Sequence, residues 1–224
     1  MLRFLKDDTY SDKATLMSVT GIKDSRNFYR FMEKFVRLGF IQKHVFDAPG
    51  GTISLWGITQ DGIGEVFEQG EEFPNKFEPS KITGWGLQHH LFAQQIRLIF
   101  ESRGATQWIN GDRKNFLSQF DVKHRPDAVI TLTNGTRVAI EAERRLKTKV
   151  RYQEIMKSHL VARKADKWQR VYYILPDEQR KSGLIALFDS IKFLTFSGRP
   201  IDIEKVHRDV FRFYTLADLI KNES

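Results

Sequence analysis

The sequence predicts an α/β protein with two parts that differ in charge. Residues 1–78 carry 10 Lys or Arg and 12 Asp or Glu, whereas residues 79–224 carry 26 and 16. The sign of the net charge therefore changes near residue 78. The stretch around this point contains Pro74, Pro79, Asn75 and Ser80 and shows no apolar periodicity. We interpret 71–83 as a linker between a domain at 1–70 and a domain at 84–224.

Composition excludes several classes of protein. The 224 residues include no cysteine, which excludes a disulfide scaffold, a cysteine nucleophile and a thiolate zinc site and fits a reducing cytosol. No uncharged run approaches the roughly 20 residues of a membrane-spanning helix. The chain reaches Asp7 too soon for the apolar core of a signal peptide. The net charge of +8 favours a polyanionic partner.

The first domain shows a helical pattern at 24–38. Its apolar residues recur with the spacing of one helix face: Phe28, Phe31, Met32, Phe35 and Val36. Asp24 or Ser25 is the expected cap, 20–23 is the expected turn, and 13–19 is predicted to form a shorter preceding helix. Two β-rich runs follow at 40–46 and 52–58, joined by 47–51 as a hairpin, and Thr59 is expected to cap the next helix.

Helix, turn, basic helix and hairpin together resemble a winged-helix domain, and 55–62, with the sequence LWGITQDG, is similar to its strand-to-helix signature. The resemblance implies that the second helix contacts DNA. The residues expected to enter the major groove or hold phosphates are Arg26, Asn27, Arg30 and Lys34. A solvated basic helix face is the alternative.

The sequence of the second domain predicts a sheet with helices on both of its faces. A helix is expected at 85–102, followed by β-like runs at 105–109 and 118–122 and by a hairpin around Asn134-Gly135. A basic helix with inward-facing Tyr152, Ile155, Met156, His159 and Leu160 is expected next, and then a buried strand at 171–175.

Three acids of this hairpin suggest a metal site. Glu141 and Glu143 are two residues apart on one strand and point to the same face, and Asp127 on the neighbouring strand can converge with them. Three clustered acids need a positive partner, and hard ions such as Mg²⁺ or Mn²⁺ prefer oxygen ligands. An ion-paired surface edge with the following basic residues is the alternative.

The length of the hairpin loop decides whether Asp127 can join the glutamates. A two-residue turn at Asn134-Gly135 would pair Asp127 with Ala142 and place it on the opposite face. A three-residue loop, with Gly135 in the left-handed conformation, pairs Asp127 with Glu141. The site hypothesis therefore predicts the three-residue loop.

Pro126-Asp127 followed by Glu141-Ala142-Glu143 resembles the PD-(D/E)XK nuclease superfamily, which has a restriction-endonuclease-like mixed sheet flanked by helices. Glu143 occupies the position of the usual lysine, as in some restriction enzymes. Together with the first domain and the run at 145–152, with the sequence RLKTKVRY, the motif resembles the MobC mobilisation proteins, the MOBC relaxases of the replication-relaxation group.

The resemblance implies a bacterial, cytoplasmic relaxase that nicks one DNA strand at a plasmid origin of transfer, within a relaxosome and with a partner protein. Its substrate would be duplex or locally melted DNA. Asp127, Glu141 and Glu143 would hold Mg²⁺ or Mn²⁺, and Lys147 would stabilise transition-state charge if a helix begins near Arg144. The residues expected to hold flanking phosphates are Arg144, Arg145, Lys149 and Arg151.

Three alternatives remain open at the level of sequence. The first is a DNA-binding accessory protein of the relaxosome that no longer cuts, since Glu143 replaces the lysine. The second is another PD-(D/E)XK endonuclease of the restriction or transposition type. The third is a winged-helix transcriptional regulator whose second domain serves oligomerisation.

Overall fold

The protein is a mixed α/β structure with two compact units. A computed structural model describes residues 1–48, 51–113 and 116–221. The units comprise Met1–Gln95 and Ile96–Ser224. Their boundary falls inside a helix and not in 71–83, the segment interpreted from the sequence as a linker. That segment belongs to the first unit, because Phe77 is buried there and its N–H donates to the carbonyl of Ile58 at 2.8 Å.

The first unit combines helices with a three-stranded antiparallel sheet of order β1-β3-β2. Its elements are α1 (Leu2–Asp8), β1 (Tyr10–Asp12), α2 (Lys13–Thr20), α3 (Ser25–Arg37), β2 (Ile41–Ala48), β3 (Gly51–Ile58), α4 (Gln60–Gly64) and most of α5 (Gly84–Ser102). The predicted helices at 13–19 and 24–38 and the predicted hairpin are confirmed, while α1 and β1 were not predicted. Pro49 and Gly50 of the hairpin loop lie outside the described residues.

Local side-chain chemistry explains where these helices begin. The carboxylate of Asp24 accepts a hydrogen bond from the N–H of Asn27 at 2.8 Å, and the hydroxyl of Thr59 accepts one from Gly62 at 3.1 Å. Gly21 ends α2 in the left-handed conformation, with φ of 70°. The caps and the turn expected from the sequence are therefore present.

The buried face of α3 is narrower than its apolar pattern predicted. Phe28 and Met32 are fully buried, and the ring of Phe28 meets that of Trp56 edge-on at 5.5 Å. Val36 was expected on this face but is 38% exposed. Phe28 and Met32, one turn apart, are therefore the main residues that α3 buries in the core.

The second unit is built on a five-stranded mixed sheet of order β10-β7-β6-β5-β4. Strands β4, β5 and β6 form an antiparallel meander, and β6, β7 and β10 are parallel. The elements are β4 (Thr106–Asn110), α6 (Phe116–Phe120), β5 (Ala128–Thr131), β6 (Arg137–Ala142), α7 (Lys149–Lys164), β7 (Arg170–Leu175), α8 (Glu178–Ser190), β8 (Phe193–Phe196), β9 (Arg199–Asp202), α9 (Lys205–Arg208), β10 (Phe211–Thr215) and α10 (Leu216–Lys221).

Two local predictions for the second unit are wrong. The run 118–122 was expected to be β-like, but Phe116–Phe120 is helical. The helical spacing of four residues lets Phe116 and Phe120 both be buried, with ring centres 4.6 Å apart. The basic helix was expected to begin near Arg144. It begins instead at Lys149, where the hydroxyl of Thr148 accepts a hydrogen bond from the N–H of Arg151.

Helices cover both faces of this sheet, as predicted. On one face, Ala139 and Tyr173 join a core that α7 completes with Tyr152, Ile155 and Met156. On the other face, the ring of Phe100 from α5 packs on Tyr172 at 6.2 Å. Within the described residues, every helix is too short or too polar to cross a membrane.

Candidate metal centre

The hairpin between β5 and β6 has the three-residue loop that the site hypothesis requires. Residue 132 pairs with 136 through a hydrogen bond of 2.9 Å, and Gly135 has φ of 80°. The paired register of the two strands ends at Ala128↔Ile140. Asp127 immediately precedes β5, and its N–H also donates to the carbonyl of Ile140, at 3.0 Å, so the regular pairing is interrupted there. The carboxylate of Asp127 accepts from the N–H of Ala142, which places Asp127 beside the end of β6 that carries Glu141.

Glu141 lies at the centre of a buried cluster with two histidines. Its Oε1 atom is 2.8 Å from Nε2 of His124 and 2.9 Å from Nε2 of His159. The three potential ligand atoms all lie within 4.8 Å of one another. Glu141 reaches this position because it follows Ala139 by two residues and so points, like Ala139, towards α7.

The two histidine rings stabilise the ionised form of Glu141. Burial alone would raise the pKa of this carboxyl, which is 4% exposed, but hydrogen bonds from His124 and His159 lower it to about 2. Burial also lowers the pKa of His159, although Glu141 opposes that effect. The cluster therefore presents one firmly ionised oxygen ligand beside two imidazoles.

Asp127 anchors the site to the backbone of the next strand. Its Oδ2 atom accepts a hydrogen bond from the N–H of Ala142 at 2.6 Å. A second hydrogen bond fixes the backbone of Asp127, because the N–H of Gly111, next to β4, donates to the Asp127 carbonyl at 2.9 Å. The side chain is only partly buried, so Asp127 lies between the buried cluster and the solvent.

Glu143 is the second buried acid and has a cationic partner. Its carboxylate is 4% exposed and forms an ion pair with the ammonium of Lys147. Burial raises the pKa of Glu143 despite the opposing charge of Lys147. Lys147 lies in the loop before α7 and not on a helix, yet it faces the site as expected, and its side chain is 39% exposed.

Tyr173 extends the site onto β7. It is the parallel-strand neighbour of Glu141 and is fully buried, and its hydroxyl has no hydrogen-bond partner among the described residues. Burial raises the pKa of this hydroxyl well above its usual range, and the charges of Glu141 and Glu143 raise it further. An unpaired hydroxyl beside ionised groups is costly in a core, and a bound ligand would relieve that cost.

The predicted phosphate-holding residues lie in the loop after β6 and in the first turn of α7. Arg145, Lys149 and Arg151 are exposed, whereas Arg144 is partly buried and burial lowers its pKa. Lys149 donates to the carbonyl of Ser190 at 2.9 Å. These four residues lie within eight positions after Glu143, so positive charge follows the acids along the chain.

The predicted DNA-contacting residues of the first unit are all exposed on α3. They are Arg26, Asn27, Arg30 and Lys34. Near them, the ammonium of Lys13 lies 4.8 Å from the ring centre of Tyr29. The exposed surface of α3 therefore combines basic and aromatic groups.

The sequence did not reveal the two histidines of the cluster. His159 was placed on the inward face of its helix, but as a packing residue. His124 lies in a loop three residues before Asp127, where no periodicity marks it, and its N–H is fixed by the hydroxyl of Ser158 at 3.0 Å. Only His159 could have been found from the sequence. It lies seven residues, about two helical turns, after Tyr152, and this spacing places both on the buried face of the helix.

The oxygen and imidazole ligands fit a divalent metal ion. Carboxylates suit Mg²⁺ and Mn²⁺, whereas imidazole suits first-row transition ions. No family model, no curated protein and no solved structure matches the chain. The functional argument therefore depends on the residues and geometry of this site.

Proposed function

We propose that the protein is a MobC-like relaxase that binds a plasmid origin of transfer and nicks one DNA strand with the help of a divalent metal ion. The observation that carries the proposal is the three-residue loop together with the hydrogen bond from the N–H of Ala142 to the Asp127 carboxylate, which supports a site shared by Asp127 and the neighbouring Glu141. A surface that only held DNA would gain nothing from buried acids beside its basic residues.

The order of elements supports the proposed superfamily. A helix, an antiparallel meander, a second helix and a parallel strand follow one another from α5 to β7. This arrangement is consistent with a PD-(D/E)XK nuclease, whose acids lie on the hairpin of the meander. In the first unit, α2, α3 and the β2-β3 hairpin support a winged helix by the same reasoning.

In this proposal, Asp127, Glu141 and Glu143 hold Mg²⁺ or Mn²⁺. Such an ion supplies Lewis-acid polarisation of a phosphoryl oxygen and makes a nucleophile from water at neutral pH. Lys147, which is exposed enough to reach a phosphate, stabilises negative charge at the scissile group. Tyr152 and Lys147 together orient Glu143, because the Tyr152 hydroxyl contacts both residues.

The basic residues position the DNA. Arg145, Lys149 and Arg151 hold phosphates on either side of the cut, and Arg30 and Lys34 of α3 hold the duplex at the recognition sequence. Binding by so many cations weakens steeply as salt rises. Specificity would come from base contacts of Arg26 and Asn27 near the start of α3.

One specific observation favours an alternative function. Glu143 stands where the superfamily usually has lysine, and its carboxylate is occupied by Lys147. This supports a relaxosome accessory protein that binds the origin without cutting it. Other PD-(D/E)XK endonucleases and a winged-helix regulator remain alternatives without a comparable observation.

A nicking assay tests the proposal. The full chain is incubated with supercoiled plasmid carrying the cognate origin and with Mg²⁺ or Mn²⁺, and open-circle product is measured. Wild type is expected to nick, whereas Asp127→Asn and Glu141→Gln are expected to lose at least about 100-fold in rate. Glu154→Gln, at an exposed position of α7, is the matched control.

Each result has a defined meaning. Equal nicking by wild type and both acid variants would contradict the catalytic assignment. If none of the proteins nicks but all bind the origin, the accessory role is favoured. If residues 84–224 can be deleted without loss of specific DNA binding and no divalent ion binds near Asp127, the regulator is favoured.

A further inference from the structure

We propose that His124, Glu141 and His159 bind one divalent first-row transition ion, such as Mn²⁺ or Zn²⁺, in preference to Mg²⁺. The inference shares Glu141 with the site of the proposed function but takes its other two ligands from the histidines and not from Asp127 and Glu143, and its catalytic meaning rests on that function. Ion binding itself does not depend on nuclease activity and is measured separately.

The spacing of the three ligand atoms fits such an ion. Glu141 Oε1 is 2.8 Å and 2.9 Å from the two Nε2 atoms. Metal bonds of about 2.0–2.2 Å place neighbouring ligand atoms about 2.8–3.1 Å apart at octahedral angles and about 3.3–3.6 Å apart at tetrahedral angles. The two oxygen-to-nitrogen distances therefore already match octahedral coordination, and a tetrahedral shell requires an expansion of about half an ångström.

Three separate elements hold the ligands in position. His159 lies on α7 and is fully buried, Glu141 lies on β6, and His124 is fixed by a hydrogen bond from its own N–H to Ser158. The rings of His124 and His159 are nearly perpendicular, at 84°, with centres 5.3 Å apart. Both Nε2 atoms thus approach the same carboxylate oxygen, and the three potential ligand atoms surround one point.

A second observation points to a ligand at this place. The hydroxyl of Tyr173 is fully buried without a partner among the described residues and lies on the strand position beside Glu141. Burying a hydroxyl without a hydrogen bond is unfavourable. A bound ion with its remaining ligands would place polar groups next to this hydroxyl.

The chemistry of the donors selects the class of ion. Mg²⁺ prefers an octahedron of oxygens and rarely takes imidazole, whereas imidazole binds manganese, iron, cobalt and zinc more favourably. The other two acids already have partners, since Asp127 accepts from Ala142 and Glu143 pairs with Lys147. Two nitrogens and one oxygen therefore form the best preassembled ligand set in the described part of the chain.

Direct binding to the full chain, freed of metal by a chelator, tests the inference. Mn²⁺, Zn²⁺ and Mg²⁺ are titrated by calorimetry, and visible absorption of Co²⁺ reports its ligands. We expect one Mn²⁺ or Zn²⁺ per chain, with Mg²⁺ at least about tenfold weaker, and a Co²⁺ spectrum that requires the histidines. His124→Gln and His159→Gln should each weaken binding by at least about tenfold.

The variants are chosen so that a folding defect is not mistaken for lost binding. The side chain of His124 is 17% exposed, so we expect the fold to tolerate His124→Gln better than His159→Gln. Circular dichroism checks that both variants are folded. His44→Gln, on β2 of the other unit, is the matched control and should bind as wild type does. Equal affinity for Mg²⁺, or unchanged Co²⁺ spectra in folded His124→Gln, would overturn the inference.

The two proposals fail separately. Transition-ion binding that needs His124, in a protein that does not nick, supports this inference and contradicts the nuclease function. Nicking with Mg²⁺ by a protein whose folded His124→Gln variant binds Mn²⁺ and Zn²⁺ as tightly as wild type supports the nuclease function and overturns this inference.

Discussion

The carboxylate of Asp127 accepts a hydrogen bond from the backbone N–H of Ala142 at 2.6 Å, across the hairpin that carries the site. This bond links a candidate metal ligand to β6, which carries Glu141 and ends one residue before Glu143. Asp127 therefore has a structural contribution in addition to the proposed catalytic one, and substitutions can separate the two.

Asp127→Asn and Asp127→Ala are expected to differ in stability but not in activity. Asparagine keeps an oxygen for the Ala142 N–H, whereas alanine leaves that donor unpaired at a cost of about 1–3 kcal/mol in free energy of unfolding. Both remove the charge and should abolish nicking. Chemical denaturation and the nicking assay measure the two effects, and equal stability of the variants would contradict a structural contribution of this bond.

Gly111→Ala should disturb the site without touching an acid. A Cβ atom at residue 111 would lie 1.8 Å from the carbonyl oxygen of Pro126, so the backbone leading to Asp127 must shift. We expect a loss of about 2–3 kcal/mol in stability and reduced nicking. Gly64→Ala, where no atom lies within 4 Å of the new Cβ, is the control and should be close to neutral.

Local signals explain why part of the fold could be predicted. The Asp24 and Thr59 caps are short-range hydrogen bonds, and the hairpin loop follows from Gly135 together with the need to keep one face apolar. The helix at Phe116–Phe120 was missed although its two phenylalanines are four residues apart, because a five-residue element offers too little periodicity.

The candidate site was predicted only in part because its ligands come from distant segments. The three acids lie on or next to one hairpin, which the sequence revealed, but among them only Glu141 belongs to the cluster with the two histidines. His124 joins them through a loop whose position depends on the tertiary contact of its N–H with Ser158. No spacing rule connects residues 124, 141 and 159, so the cluster becomes visible only in three dimensions.

Lys147→Ala should reduce both activity and stability at neutral pH. The substitution leaves the buried Glu143 carboxylate without its cation, which we expect to cost about 1–2 kcal/mol because Lys147 is partly exposed. Nicking should fall by about 100-fold. Lys147→Arg keeps the charge and serves as the control. Equal nicking by Lys147→Ala and wild type would exclude Lys147 from catalysis.

The stability defect of Lys147→Ala should also depend on pH. Burial raises the pKa of Glu143 in the folded state, so the folded protein binds this proton more readily than the unfolded chain does. The defect is therefore greatest above the folded pKa and is relieved as pH falls and Glu143 becomes neutral. Denaturation of variant and wild type at pH 5 and pH 8 measures this, and a pH-independent difference would contradict it.

The contribution of Asp218, on α10, to stability is expected to depend on pH in the opposite direction. A hydrogen bond from Lys181, with others from Thr215, lowers the pKa of Asp218 to about 2. Its contribution to stability is present above the unfolded value of 3.8 and is lost as pH falls towards 2. Asp218→Asn should flatten the acid limb of the stability profile, whereas Asp202→Asn, at an exposed site on β9, should not.

If the exposed basic residues of α3 contact phosphates, they should contribute to the dependence of DNA affinity on salt concentration. Each phosphate contact contributes about 0.9 to the slope of log affinity against log salt concentration, so Arg30→Ala and Lys34→Ala together should lower the slope by about 2. Arg26→Ala should instead reduce discrimination between the origin and unrelated DNA, as expected of a base contact. Arg3→Ala, at an 80% exposed position on α1, is the basic control. Fluorescence anisotropy at several salt concentrations measures both effects, and slopes equal to wild type in the α3 variants would exclude this helix as the DNA-binding surface.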